Sequence, residues 1–293
     1  MIKIMVVSPI DRQPAKGDAR RVRSPAMATK KTVKEAEPAM EDHRVRVGAQ
    51  RREKTRLRLL ESALRVFNEK GPDLAVIDDF IAPAGVARGT FYNHFSTTSE
   101  LLLALAAAMS DEVLQIVDPL VLRLDDPVAR FSAGTRLYMR MALRYPLWGS
   151  FITRVGTGIA TRGQLIDLYL TRDLELANKT GRLKVGNVRV ARDLVLGAIF
   201  YGIETMLTEP TRANHPEQIL RCVLIGLGLP ADEAEAIATM PLEIPGAVEG
   251  PIFSGLKPGA ATVTAVPAQA RGAKPKTPPR APARTTRGQA QAR

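Results

Sequence analysis

The sequence predicts an all-α protein, an N-terminal three-helix helix-turn-helix unit joined to a C-terminal helical bundle. Three observations predict it. Apolar residues recur at helical spacing, as Leu60, Ala63, Leu64 and Phe67 do at i, i+3, i+4 and i+7. Proline and glycine punctuate such stretches, in D-D-P, Y-P, G-T-G and N-H-P. No strand-like alternation of any length interrupts them.

Composition bounds the rest. At 293 residues and 45% apolar content the chain can fill two helical domains. No apolar run reaches the ~18 residues of a spanning helix, and M-I-K-I-M-V-V-S-P-I is too short for a signal peptide. A cytoplasmic protein without a membrane partner is therefore expected. The single cysteine, Cys222, excludes an internal disulfide; its neighbours Ile219, Leu220, Val223 and Leu224 predict a buried, inert thiol. The three histidines, His43, His94 and His215, are scattered, so no metal, cofactor or acid–base constellation is expected, and no enzyme. The net charge of +12 is unevenly distributed. Residues 1–58 carry 16 Lys/Arg against 7 Asp/Glu, residues 257–293 carry 8 against none, and the middle nets −5. Basic ends either attach to phosphate or are simply solvated.

Residues 1–48 show no sustained periodicity and read as a disordered basic arm. A helix then begins near Arg51 and stops at Gly71-Pro72, with its Arg/Lys-rich start including Arg56 and Arg58. Ile77, Phe80 and Ile81 seat a second helix, which opens with Asp78 and Asp79 and carries Pro83 in its last turn. Gly85 supplies the backbone freedom for a tight turn. Arg88 to Phe95 forms a short third helix. At about 100° per residue Phe91 and Phe95 point inward, while Gly89, Thr90 and Asn93 project the other way. Arg88 and Tyr92 lie on one flank and His94 on the other. Such a face fits the major groove of DNA: Arg88 suits guanine, Asn93 adenine, and Thr90 or Gly89 a thymine methyl. Thr97 with Glu100 has the form of a capping box opening a connector helix to about Val117.

At these residues the chain resembles the TetR family of bacterial transcriptional regulators. A-G-V-A-R-G-T-F-Y-N-H-F is similar to that family's turn and recognition helix, and K-T-R-L-R-L-L-E-S-A-L-R-V-F-N-E-K-G to its first helix. The resemblance covers roughly Arg51 to Ala106. It implies phosphate contacts at Tyr92, His94, Thr98 and the basic start of the first helix, Arg56 included. Ala87 stands where the family has a capping serine, and Thr98 where a phosphate-binding lysine is common.

The expected DNA-binding domain is 49–108 and the body 109–245, with helices at 111–124, 127–144, 147–155, 161–178, 187–208 and 215–228 and a short terminal helix in A-D-E-A-E-A-I-A. From Gly246 the Ala/Pro/Gly/Thr-rich chain reads as a disordered basic tail to 293. Tyr138, Met141, Tyr145, Trp148, Phe151, Tyr169 and Phe200 are the residues expected around an effector cavity, or else plain core. Arg140, Arg144 and Arg154 either meet an anionic group or pair on the surface. The resemblance implies a homodimer through the last two long helices, with Leu194, Gly197, Ala198, Tyr201, Leu220, Val223, Leu224 and Leu227 as interface candidates. Together these imply a regulator, a repressor that binds a palindromic operator on double-stranded DNA and is released by a small-molecule effector. The alternative is a DNA-organising or partner-binding protein on the same fold.

Overall fold

The computed structural model describes residues 38–160, 163–256 and 258–259. The chain divides into residues 1–48 and 49–293. Of the first unit, residues 38–48 are helical, so the disordered arm expected over 1–48 does not hold there, and residues 1–37 lie outside the described residues.

That helix, α1, spans Pro38–Lys70 and starts well before the expected Arg51. Proline suits the first position of a helix, and after Pro38 no other follows until Pro72, which explains the extension. The head continues with α2 (Ile77–Ala84) and α3 (Arg88–Tyr92). Gly85 ends α2 at φ 59°, in the left-handed region, and the N–H groups of Gly85 and Val86 close a Schellman motif on Ala82 and Ile81. The head core is an aromatic file: Phe67 meets Phe80 edge-on with centroids 5.1 Å apart, Phe80 stacks on Phe91 at 6.5 Å, and Phe91 lies 6.0 Å from Phe95.

One helix, α4 (Thr98–Val121), merges the expected connector with the separate helix expected at 111–124. Thr97 caps it, accepting from Glu100 N, while the Glu100 carboxylate reaches back to Ser96 N at 2.7 Å. Around it pack α5 (Pro127–Arg144), α6 (Pro146–Val155) and α7 (Leu165–Lys179); α8 (Val188–Thr208) packs on those three, and beyond lie α9 (His215–Gly226) and α10 (Ala231–Thr239). No strand occurs among the described residues. Phe151 of α6 lies 6.0 Å from Phe67 of α1, so an aromatic contact joins head to body.

The tail expected from Gly246 does not begin there. Residues 245–256 run back across the bundle, burying Val248, Ile252 and Phe253, with a 3-10 turn at Phe253–Gly255. A sparse apolar set, spaced by prolines and glycines, carries no periodicity, yet three such side chains suffice to seat a strap on a preformed surface. Residues beyond 259 lie outside the described ones. Cys222 is also not buried: it faces outward on α9, because Leu220, Val223 and Leu224 take the inward side.

Candidate nucleic-acid interface and effector cavity

The outward face of α3 carries the expected reading residues. Arg88, Gly89, Tyr92 and Asn93 are exposed, with Tyr92 at 51%, and Thr90, His94 and Thr98 are half-buried. Phe91 and Phe95 are buried beneath. The helix proper is five residues rather than eight; Asn93, His94 and Phe95 continue as one turn, donating to Gly89 O and Phe91 O. Ala87 stands at its N-cap with no side-chain cap, leaving an amide that a serine would satisfy. Arg56 and Arg52 of α1 line one cleft with Asn93 and His94, so the basic helix and the end of α3 share a face.

Two acidic residues tune this face. Asp78 holds Arg88 Nη1 with both oxygens, at 2.9 and 3.1 Å. A hydrogen bond with Tyr92, and then the Asp78 charge, hold the Arg88 guanidinium firmly protonated. Asp79 takes Lys70 at 2.5 Å and Val76 N at 3.0 Å, and these contacts, Lys70 first, lower its pKa. Both carboxylates are thus matched by cations instead of facing phosphate alone.

Arg58, expected with the basic start of α1 near phosphate, turns inward instead. Its Nη2 donates to Ala84 O and, at 2.8 Å, to Gly85 O, the carbonyls a helix end leaves orphaned. Arg58 therefore fixes the turn between α2 and α3. Nothing in a run of arginines distinguishes this one in sequence.

In the body a cavity of about 50 Å3 lies between α4, α5, α7 and α8, lined by Val117, Phe131, Thr135, Tyr138, Tyr169 and Ile199 among others. Of the expected effector residues it brings together Tyr138 and Tyr169. Met141, Tyr145, Trp148, Phe151 and Phe200 are buried but line no part of it. They face other helices or the strap: Trp148 meets Tyr138 at 5.1 Å and Phe253 at 5.8 Å, and Tyr145 meets Phe253 at 4.9 Å. Burial pushes the Tyr138 phenol's pKa up, and its hydroxyl shares a 3.0 Å hydrogen bond with Ser110 Oγ, which also accepts from Trp148 Nε1. At the cavity edge Arg172 grips Asp118 of α4 and Asp173 of α7, and lies over the Tyr169 ring.

Arg140, Arg144 and Arg154 are all engaged. Arg140 and the buried Arg136 converge on Glu217, Arg154 pairs with Asp73, and Arg144 donates to Pro245 O and Gly246 O.

The interface candidates split by face. Tyr201 is 75% exposed, Leu194 46%, and Gly197 and Ala198 are half-open. Leu220, Val223, Leu224 and Leu227 are buried within the chain, so a partner cannot reach them. The outward positions of α9 are Gln218, Cys222, Ile225 and Gly226, and α8 adds Val190 at 63% exposure. Projecting the positions of α9 at 100° per residue separates the two sets.

A head of this kind on a helical body defines a helix-turn-helix DNA-binding regulator. Residues 59–105 match the family described as bacterial regulatory proteins, tetR family, and residues 126–240 match the tetracyclin repressor-like C-terminal domain. Among solved structures the chain is similar to RolR in complex with the ligand resorcinol, at 30% identity over 68% of this chain and 100% of that one, TM-score 0.59. RolR without ligand aligns at 28% identity over 66% and 99%, TM-score 0.56. Of curated proteins, an uncharacterized HTH-type transcriptional regulator YvdT of Bacillus subtilis (strain 168) is 45% identical over 49 residues, 17% of this chain and 25% of that protein. The HTH-type transcriptional regulator SrpR of Pseudomonas putida is 41% identical over 56 residues, 19% and 26%. The chain thus spans about a quarter of the length of these two relatives. It belongs to the TetR family of bacterial regulatory proteins.

Proposed function

We propose that the protein is a cytoplasmic, non-enzymatic transcriptional repressor that binds a palindromic operator as a homodimer and is released by a small-molecule ligand held in the body. The observation that supports it best is the outward face of α3, where Arg88, Gly89, Thr90 and Asn93 lie above a buried Phe91. Arg88 reads guanine and Asn93 adenine; Tyr92, His94, Thr98 and Arg56 hold phosphates. Two such helices one turn of DNA apart require a symmetric pair, and the exposed stripe of Val190, Leu194 and Tyr201 with Ile225 suits that role.

The ligand is small and mostly apolar, a single ring with hydroxyl groups, to match Tyr138, Thr135 and Tyr169 among aliphatic walls. RolR, with its ligand resorcinol, is in keeping with that class. A cavity of about 50 Å3 is well below the ~150 Å3 that admits benzene elsewhere. A ring entering it must part α4 from α7, straining the Arg172–Asp118 bridge, and so binding is tied to movement of α4.

The test is selection of bound sequences from a random DNA pool by the wild type and by Arg88→Ala. The wild type should select a two-fold symmetric site. Arg88→Ala should lose preference at one position in each half-site, worth roughly 1–3 kcal/mol. Full preference retained by the variant refutes the base-reading assignment, and uniform binding by the wild type favours a DNA-organising role.

A further inference from the structure

We propose that residues 245–256 form a built-in clamp that holds α4 in its DNA-binding position, with Glu112 as the catch; the proposal rests on the DNA-binding reading given above. The strap is tied down at three places. Arg144, the last residue of α5, donates to the carbonyls of Pro245 and Gly246 at 2.8 and 2.9 Å. Just past α5, the Tyr145 hydroxyl accepts from Val248 N at 3.3 Å. On α4, the two carboxylate oxygens of Glu112 each accept one strap amide, from Ile252 N and Phe253 N, at 3.0 Å.

The catch is specific in its chemistry. Glu112 is a buried carboxylate held by backbone amides of the strap rather than by a cation among the described residues. Burial raises its pKa, and the Phe253 and Ile252 amides offset only part of that rise. A charge taken out of water needs such donors, and the two strap amides supply them. The fit is close as well: a Cβ at Gly250 would overlap the Glu112 carboxylate. Phe253, almost wholly buried, locks the far end by meeting Tyr145 and Trp148 edge-on. Trp148 in turn shares Ser110 of α4 with Tyr138.

The position matters more than the stability. Glu112 and Ser110 lie mid-way along α4, whose first turns, at Leu101, Leu102 and Leu105, belong to the core that continues into the head. A strap joining the end of α5 to the middle of α4 opposes the displacement that ligand entry requires. The matched family segment ends at residue 240, so the strap lies outside it.

Gly250→Ala and Phe253→Ala test the clamp on the full chain, with Leu229→Ala, on the α9–α10 connection, as a core control for general destabilisation. Amide hydrogen exchange across residues 106–116 should rise in both strap variants but not in the control. Affinity for the operator selected by the wild type should weaken roughly 3- to 10-fold, as expected if the binding-competent fraction falls to between a third and a tenth. Glu112→Gln, which sets an NH2 group against one strap amide, should reproduce both effects. Unchanged exchange in α4, or operator binding unchanged or tightened in the strap variants, overturns the clamp. A wild type that selects no operator instead defeats the DNA-binding reading, and the exchange measurement still decides whether the strap restrains α4.

Discussion

Ala87 and Glu217 show how single positions set local energetics in opposite ways. Ala87 leaves α3 without a side-chain cap, so Ala87→Ser should stabilise the head by about 1 kcal/mol and raise the melting temperature. Glu217 is buried under Arg136 and Arg140, which reach its Oε1 at 2.8 and 2.5 Å. Burial alone would raise its pKa, but the hydrogen bonds from Arg140 and then Arg136 lower it. A carboxylate held below its unfolded value contributes stability above the ordinary range and loses it as pH falls. Glu217→Ala should therefore cost about 3–5 kcal/mol at neutral pH, because Arg136 is left buried and unpaired. The penalty should shrink in acid, which denaturant titrations at pH 7 and pH 3 would show. Arg136 and Glu217 are 81 positions apart. Nothing local in the sequence announces a long-range pair of that kind.

Among the elements, α8 and α9 each bury one face in the bundle and leave another open. On the proposed dimer, Tyr201→Glu should leave the fold intact and shift the protein to monomer in sedimentation, since Tyr201 is the most exposed large hydrophobic side chain of α8. Leu224→Ala should instead destabilise the chain by about 2–5 kcal/mol, as its side chain is fully buried. A variant at Tyr201 that stayed dimeric would remove α8 from the interface. The helices themselves were largely legible: α5 runs over Pro127–Arg144 as its spacing and its flanking D-D-P and Y-P predict. Which face of α9 turns inward was also recoverable from phase, because Leu220, Val223, Leu224 and Leu227 fall together. The strap was not legible, since three apolar residues among prolines acquire meaning only once Tyr145, Trp148 and Glu112 have been brought together by α4, α5 and α6. The outward face of α3 was accessible because a few consecutive positions suffice to define it, whereas the body cavity draws on several helices distant in sequence.

For the molecule as a whole, charge and connection govern behaviour at long range. The segment 257–293 carries 8 Lys/Arg and no acid, against a mildly acidic middle. Removing it should flatten the dependence of DNA affinity on salt, by up to about one unit of slope for each phosphate it neutralises, with little change in site preference. An unchanged slope would mean that the cations of the head suffice. The uninterrupted α4, 24 residues and so about 36 Å long, gives the architecture a further property. A stiff rod of that length works as a lever: tilting it some ~5° about its anchorage in the bundle sweeps the far tip through about 3 Å, close to the ~3.4 Å between neighbouring base pairs. If the protein pairs as proposed, motion smaller than a side chain at one end can thus put one α3 a whole rung out of step with that of the second subunit.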